Sequence, residues 1–172
     1  VLAEAVKLGV PISIDTYKPE VMRAALDMGA DIINDIWALR FPASRSDHPS
    51  ASAIVAAHPA CGVCLMHMHR EPQSMQTLPM EGDAVEGVVL FLKQQSEFLK
   101  AVGVDSNRIV LDPGIGFGKT PEQNFSLLAR QPELLALGLP LLAGWSRKSS
   151  LGAVTGRAPP AERLAASLAA AV

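Results

Sequence analysis

The sequence has few cysteines, no long apolar run and no excess of basic residues. Its 172 residues include two cysteines and carry a net charge of −2. A general surface for nucleic acid or for a membrane would need a clear basic excess, so this charge argues against both partners. No stretch reaches the roughly 18 uninterrupted apolar residues of a membrane span. We therefore expect no nucleic-acid partner and no membrane partner.

The two cysteines, Cys61 and Cys64, form a C-x-x-C pair. A thioredoxin-like motif places such a pair at a helix N-terminus. Here the pair runs into the apolar, strand-like segment "CGVCLMHM" (61–68), which favours buried free thiols over a redox role. Two cysteines cannot build a zinc site alone. A reducing cytoplasm is the simplest setting for this chain.

Both ends of the sequence have the pattern of a helix. Residues 1–10 carry neither the basic flank nor the small-residue cleavage site of a signal peptide, and Gly9 reads as a helix stop. The last residues, 160–172, break off within a helical pattern. We therefore expect one domain over residues 1–172, truncated at both ends.

Strand-like and helix-like segments alternate along the chain. Five continuous apolar runs have the pattern of strands buried on both faces of a parallel sheet: 10–15, 30–36, 62–68, 108–113 and 139–146. Four helix-like segments lie between or after them: 18–30, 83–104, 121–138 and 159–172. This order predicts an α/β fold with parallel strands.

The sequence also predicts the buried face of one helix and the position of one exposed loop. In segment 18–30, the apolar face is predicted to consist of Val21, Ala24, Ala25 and Met28. Residues 40–53 have the composition of an exposed loop.

Polar residues stand at the C-terminal end of each predicted strand. They include Asp15, Asn34, Asp112 and Lys148. In a TIM barrel these strand ends face one shared pocket, whereas an open sheet gathers them less evenly. We therefore favour a TIM (β/α)8 barrel of which about five βα units are present, because a full barrel needs eight strands and about 250 residues.

This set of side chains could bind a flat heterocycle. A carboxylate accepts paired N–H donors from an aminopyrimidine edge, an amide both donates and accepts, and Lys148 can donate to a ring carbonyl. Each residue also has a purely structural interpretation: Asp15 as a helix cap, Asp112 as part of an exit turn and Lys148 as a solvated surface group. Asp35 is predicted to be structural and is left out of the site.

The stretch "DPGIGFGKT" (112–120) is not a P-loop, because its spacing from glycine to Gly-Lys-Thr is wrong. We interpret its glycines as room for backbone beside a flat ligand, with Phe117 offering a ring. His67 and His69 would point to one side of a strand, as a metal pair does, but no third ligand is evident.

Several motifs together resemble those of the bacterial dihydropteroate synthases. They are "ISIDTYKPEV", "GADIINDI", "CLMHM", "RIVLDPGIGFGKT" and "GWSRKSSLG", in that order. The resemblance implies a TIM barrel and a transferase of folate biosynthesis, the target of sulfonamides. It also implies condensation of 6-hydroxymethyl-7,8-dihydropterin pyrophosphate with p-aminobenzoate, which gives dihydropteroate and pyrophosphate.

The resemblance assigns roles to individual residues. Asp112 and Lys148 would be catalytic. The pterin-binding residues would be Asp15, Asn34, Ile36, Met66, Asp112, Phe117, Gly144 and Lys148. The residues near p-aminobenzoate or a sulfonamide would be Ser146, Arg147 and Ser149.

The family's first two strands and its last strand have no counterpart in the sequence, so the chain would hold the third to seventh strands. The family's magnesium-contacting asparagine would lie in the missing first strand, which leaves Mg²⁺ as an expected cofactor without a ligand in this chain. The resemblance also suggests a homodimer. A pterin-binding methyltransferase domain and a non-catalytic pterin-binding fragment remain alternatives.

Overall fold

The computed structural model describes residues 1–75 and 77–172, and it contains four short strands. They are β1 (Ser13–Asp15), β2 (Ile32–Asp35), β3 (Gly62–Met66) and β4 (Ile109–Asp112). The eight α-helices within these residues are α1 (Leu2–Ala5), α2 (Pro19–Asp27), α3 (Ala51–Ala57), α4 (Ala84–Ala101), α5 (Pro121–Ala129), α6 (Gln131–Leu135), α7 (Ser149–Thr155) and α8 (Leu164–Ala169). Short 3-10 turns cover Val6–Leu8, Ser106–Arg108 and Pro160–Arg163.

The four strands form one sheet in the order β1-β2-β3-β4. The pairs β1–β2 and β2–β3 are parallel, and a helix connects each strand to the next. The register places Asp15 opposite Asn34. The predicted alternation of parallel strands and helices is therefore confirmed.

The fifth predicted strand, 139–146, is reduced to a single bridging residue, Leu141. Pro140 has no backbone N–H to donate to a neighbouring strand. Leu142 is 42% exposed, so the run is not buried on both faces as a central strand would be. The prediction of a full strand here is wrong, and the described residues contain four strands.

The chain divides into two compact units. The first consists of residues 1–66 and 92–111, and the second of residues 67–91 and 112–172. The fully buried side chains of the first unit include Met22, Ile33, Val55, Val63, Leu65, Leu92, Leu99, Ile109 and Leu111. Those of the second include Val85, Val88, Leu127 and Leu134.

The first unit buries both cysteines. Cys61 and Cys64 are free thiols and are 2% and 3% exposed. Burial raises the pKa of the Cys61 thiol, so this group is a poor nucleophile. The prediction of buried free thiols is confirmed.

Two local predictions in the first unit are wrong, namely the buried face of α2 and the extent of the loop 40–53. The buried face of α2 is Pro19, Met22, Ala25 and Leu26, whereas Val21 and Met28 are 44% and 48% exposed. The second error is α3, which begins inside the predicted loop 40–53. Ser50 caps this helix by accepting a hydrogen bond from the backbone N–H of Ala53, and four of the seven helix residues are buried.

No helix among residues 1–75 and 77–172 combines the length and apolar character needed to cross a bilayer.

Candidate active site

Three predicted site residues of the first unit lie at or just before the ends of neighbouring strands. Asp15 ends β1 opposite Asn34 of β2, and the N–H of Thr16 donates to the carbonyl of Asn34 at 3.1 Å. Asp15 is exposed and Asn34 is half-buried, so both can meet a ligand. Met66 ends β3 and is buried. The parallel register therefore brings Asp15 and Asn34 side by side, as predicted.

The turn after β2 carries Ile36 and is held by Asp35. The carboxylate of Asp35 accepts the N–H groups of Trp37 and Leu39 at 2.8 and 2.7 Å. Ala38 and Leu39 both have the left-handed φ values that non-glycine residues rarely adopt, 51° and 61°. The prediction that Asp35 has a structural role is therefore confirmed, and its function is to hold the turn.

A pH dependence of stability follows from the burial of Asp35. Burial raises its pKa to about 6, although the N–H groups of Trp37 and Leu39 oppose the shift. The folded chain then binds this proton more tightly than the unfolded chain, so its contribution to stability is present at low pH and is lost as the pH rises through about 6. Between about pH 4.5 and about pH 6.5, we expect a loss of about 2 kcal/mol from this group.

Asp35→Asn should remove that loss. Thermal unfolding of the protein carrying this chain, followed across the acid range, would measure the difference between the wild type and the variant. Asp47→Asn is the control, because the Asp47 side chain is 63% exposed. This variant should show the same pH profile as the wild type. An Asp35→Asn profile parallel to that of the wild type would contradict the prediction.

The second unit contains the glycine-rich loop that follows β4. Gly114, Gly116 and Gly118 have φ values of 68°, 83° and 73°, all in the left-handed region. A Cβ atom on Gly114 would lie 1.9 Å from the carbonyl oxygen of His67, and one on Gly118 would lie 2.7 Å from Cβ of His69. Contacts within the protein thus account for these two glycines, which corrects the interpretation that they make room for a ligand.

Lys119 is a buried member of this loop, and the sequence did not predict its burial. It is 7% exposed, and its Nζ donates to the carbonyls of Gly114, Phe117 and His67 at 2.9, 3.2 and 3.3 Å. Burial lowers its pKa to about 7, while the charge of Asp112 opposes the shift. The lysine therefore ties the loop together, unlike the lysine of a P-loop, which reaches for phosphate.

Asp112 and Lys148 influence each other's titration in the second unit. Asp112 is 7% exposed, and its Oδ1 accepts the N–H of Gly114 at 2.7 Å. Burial raises its pKa, while that N–H, Lys148 and Lys119 oppose the rise. Burial likewise lowers the pKa of Lys148, and Asp112 opposes the fall.

The ammonium of Lys148 lies 4.6 Å from the ring centroid of Phe117, which is cation–π range. The structure thus brings three predicted residues of the second unit into one cluster: Asp112, Phe117 and Lys148.

The turn before α7 is held by Ser167 of α8 and by Arg163, which directly precedes α8. Arg147 has a left-handed φ of 57°. Its N–H donates to Ser167 Oγ at 3.0 Å, and its carbonyl accepts from Arg163 Nη1 at 2.7 Å. Ser167 Oγ in turn donates to the carbonyl of Arg163 at 2.7 Å. Backbone strain of this kind gathers at functional sites.

The remaining predicted residues of the second unit lie in or beside this turn. Ser146, Arg147 and Ser149 are exposed, and Gly144 is half-buried. The side chains of Ser146, Arg147 and Ser149 are therefore accessible to a ligand in this unit.

The histidines give no support to a metal pair. β3 ends at Met66, before His67, so the two histidines are not alternate residues of a strand. The ring of His67 packs edge-on against Phe91 at 5.0 Å, and burial lowers the pKa of His69. Nowhere in residues 1–75 and 77–172 do three or more His, Cys, Asp or Glu side chains gather as a metal ion would require. The described residues therefore do not fit Mg²⁺.

Comparison with known proteins identifies relatives over the whole chain. The sequence matches the family described as "Pterin binding enzyme" over residues 1–172. It is 44% identical to a dihydropteroate synthase of Synechocystis over 92% of this chain and 52% of the relative. It is also 44% identical to the dihydropteroate synthase of Neisseria meningitidis serogroup B, over 100% of this chain and 59% of the relative.

Solved structures of dihydropteroate synthases are also similar to this chain. Dihydropteroate synthase from Thermus thermophilus in complex with 4-aminobenzoate is 40% identical, with a TM-score of 0.89 over 99% of this chain and 63% of that one. The Xanthomonas albilineans enzyme in complex with 7,8-dihydropteroate is 43% identical, with a TM-score of 0.85 over 99% and 59%. These neighbours are TIM barrels, and the parallel sheet of this chain matches part of such a barrel.

The chain spans between half and three fifths of the length of these two curated relatives. The match to the family nonetheless covers residues 1–172. On these matches, the chain belongs to the pterin-binding enzyme family.

Proposed function

We propose that the protein carrying this chain is a dihydropteroate synthase. It would condense 6-hydroxymethyl-7,8-dihydropterin pyrophosphate with p-aminobenzoate to give dihydropteroate and pyrophosphate. Relatives and solved structures that carry this name, at 40% to 44% identity, support the proposal. The observation that carries it is the cluster in the second unit, where the Lys148 ammonium lies 4.6 Å from the Phe117 ring and interacts with the charge of Asp112.

The chemistry of this cluster suits a flat, electron-rich heterocycle. The carboxylate of Asp112 can accept N–H donors from an aminopyrimidine edge, and Lys148 can donate to a ring carbonyl or nitrogen. Both groups are partly desolvated, so their hydrogen bonds to a ligand are stronger than in water. The ring of Phe117 offers a face or an edge to the ligand.

In the reaction, the arylamine nitrogen forms a bond to the exocyclic methylene carbon of the pterin. The bond from that carbon to the pyrophosphate oxygen breaks, pyrophosphate leaves with its electron pair, and the amine loses a proton. Positive charge develops on the pterin as pyrophosphate departs. A carboxylate near the ring, as proposed for Asp112, would stabilise that charge.

The proposal includes the other predicted contacts. Arg147 would hold the carboxylate of p-aminobenzoate in bidentate fashion, with Ser146 and Ser149 nearby. In the first unit, Asp15, Asn34, Ile36 and Met66 would contribute to pterin binding, as would Gly144 of the second.

Several further features are proposed by family resemblance. Mg²⁺ is proposed as a cofactor that would be held by groups other than the residues described above. Homodimer formation, sulfonamide inhibition and a cytoplasmic location also belong to the proposal.

The binding test uses two variants, Asp112→Asn and Lys148→Ala. Each should weaken binding of the pterin pyrophosphate by about 1–3 kcal/mol, because each removes a hydrogen bond to a charged group. Isothermal titration of the protein carrying this chain would measure the affinity. Lys93→Ala, on the exposed face of α4, is the control and should bind as the wild type does.

Unchanged affinity in both site variants would refute the assignment of the pterin-binding residues. Release of pyrophosphate on addition of p-aminobenzoate would support the synthase activity. Pterin binding without that release would instead support a non-catalytic role.

A further inference from the structure

Asn124 lies in the first turns of α5, and its amide joins three parts of the second unit. Its Oδ1 accepts the N–H of Gly116 at 2.9 Å. Its Nδ2 donates to Ser150 Oγ at 2.9 Å and to the carbonyl of Lys119 at 3.4 Å. Asn124 and Ser150 are 1% and 2% exposed. One buried side chain therefore links the glycine-rich loop to α7.

The helix that carries Asn124 is itself well fixed. Thr120 and Gln123 form a capping box at the start of α5, so the backbone N–H groups of both residues have acceptors. The Nε2 of Gln123 also donates to the carbonyl of Met80 at 2.8 Å. Asn124 follows directly, so its amide is presented from a rigid support.

The two groups that Asn124 joins carry two residues of the proposed site. Gly116 directly precedes Phe117, and Ser150 comes two residues after Lys148. The loop and the lysine are also close in space, because Lys148 Nζ lies 4.6 Å from the centroid of the Phe117 ring and a Cβ atom added to Gly116 would lie 3.4 Å from Cδ of Lys148. A displacement of the loop relative to α7 would therefore change the contact between the Phe117 ring and the Lys148 ammonium.

We propose that Asn124 is a positioning residue that, with Ser150 as its partner, sets the separation between Phe117 and Lys148. Its link to pterin binding rests on the proposed function, because that function makes Phe117 and Lys148 ligand contacts. Asn124 acts through these two residues rather than on the substrate. Buried side-chain hydrogen bonds of this kind fix a binding site in its productive geometry.

The test compares Asn124→Ala, Ser150→Ala and the double variant in the protein carrying this chain. Ser96→Ala is the matched control, because Ser96 is 3% exposed and its Oγ donates within its own helix, to the carbonyl of Lys93. Ser96→Ala and Ser150→Ala each remove one buried hydroxyl. Only Ser150→Ala touches the link from α5 to α7.

The first readout is the pH dependence of the reaction of Lys148 with acetic anhydride, followed by mass spectrometry. The groups that influence this lysine are Asp112 and Lys119, and burial holds its pKa below the ordinary value. Loosening the loop should admit water, so the labelling midpoint of Lys148 should move up toward that of an ordinary lysine in Asn124→Ala and in Ser150→Ala.

The second readout is the affinity for the pterin pyrophosphate. We expect a loss of about fivefold to tenfold in either variant, the scale of one buried hydrogen bond. The double variant should lose little more than Asn124→Ala, because both substitutions break the same link. Ser96→Ala should leave the midpoint and the affinity unchanged even if it lowers stability.

The outcomes separate this proposal from the proposed function. If Asn124→Ala and Ser150→Ala leave the Lys148 midpoint unchanged, the positioning role is overturned, whether or not pterin binds. A shifted midpoint with no pterin binding by the wild type would support the positioning role and refute the proposed function. Lower stability alone, as in Ser96→Ala, would mean that Asn124 only stabilises the fold.

Discussion

Gly114→Ala is expected to lower the free energy of unfolding by about 2–5 kcal/mol. About 1–2 kcal/mol comes from placing a residue with a Cβ atom in the left-handed region, where Gly114 has a φ of 68°. The rest comes from overpacking, which costs about 1–3 kcal/mol. The new Cβ atom would lie 1.9 Å from the carbonyl oxygen of His67, and backbone is less able to move aside than a side chain. Urea unfolding of the protein carrying this chain would measure the loss.

Gly138→Ala separates the two contributions. Gly138 has a similar φ of 72°, and apart from its chain neighbours no described atom lies within 4 Å of the position of its Cβ. This variant should therefore lose only the conformational part, about 1–2 kcal/mol. Equal losses in Gly114→Ala and Gly138→Ala would show that the contact with His67 does not limit the site.

Gly114→Ala should also weaken binding of the pterin pyrophosphate. The N–H of Gly114 donates to Asp112, and its carbonyl accepts from Lys119. Gly114 therefore links Asp112, whose carboxylate is proposed to bind the pterin, to the buried Lys119. A shift of the Gly114 backbone would displace both the carboxylate of Asp112 and the ammonium of Lys119. The stability of the loop and the proposed binding of the pterin therefore both depend on Gly114.

The sequence was sufficient to predict the four strands of the sheet, though not the absence of a full fifth strand, and to predict the polar residues at the strand ends. Continuous apolar runs that are separated by helical segments are compatible with few arrangements other than parallel strands. Once the strands are parallel, polar residues at their ends must lie at one edge, which placed Asp15 beside Asn34 without knowledge of any contact. Local pattern and topology were enough for this part.

The choice of a helix face could not be predicted in the same way. Along α2 and its C-cap residue Met28, one apolar stripe consists of Val21, Ala24, Ala25 and Met28, and a second consists of Met22, Ala25 and Leu26. Both stripes have helical spacing, so periodicity alone does not distinguish them. The elements that pack on the helix decide between them, and these elements come from distant parts of the chain.

Lys119 shows why part of the site was missed. A lysine after glycines suggests a solvent-facing group, and nothing in the local sequence predicts that its ammonium is buried. One of the carbonyls that accept its hydrogen bonds belongs to His67, which is 52 residues away in sequence. Burial and partners of this kind depend on the folded chain, whereas the rejection of the P-loop needed only the spacing of the glycines.

The final prediction concerns the charge of Lys119. Its pKa of about 7 in the folded chain lies well below the ordinary lysine value of 10.5. Between these values the unfolded chain binds more protons than the folded chain, so stability rises with pH. From about pH 7 to about pH 10 this rise should be about 3–4 kcal/mol, at about 1.4 kcal/mol per pKa unit. In Lys119→Met the rise should disappear.

Urea unfolding near pH 7 and near pH 10 would test this expectation in the wild type, in Lys119→Met and in Lys93→Met. Other groups that titrate in this range do so in all three proteins, so the difference between the slopes isolates Lys119. Lys93 is exposed, so Lys93→Met should keep the slope of the wild type. If Lys119→Met kept it as well, the three carbonyls around the ammonium would be compensating fully for its burial, and Lys119 would remain protonated across the whole range.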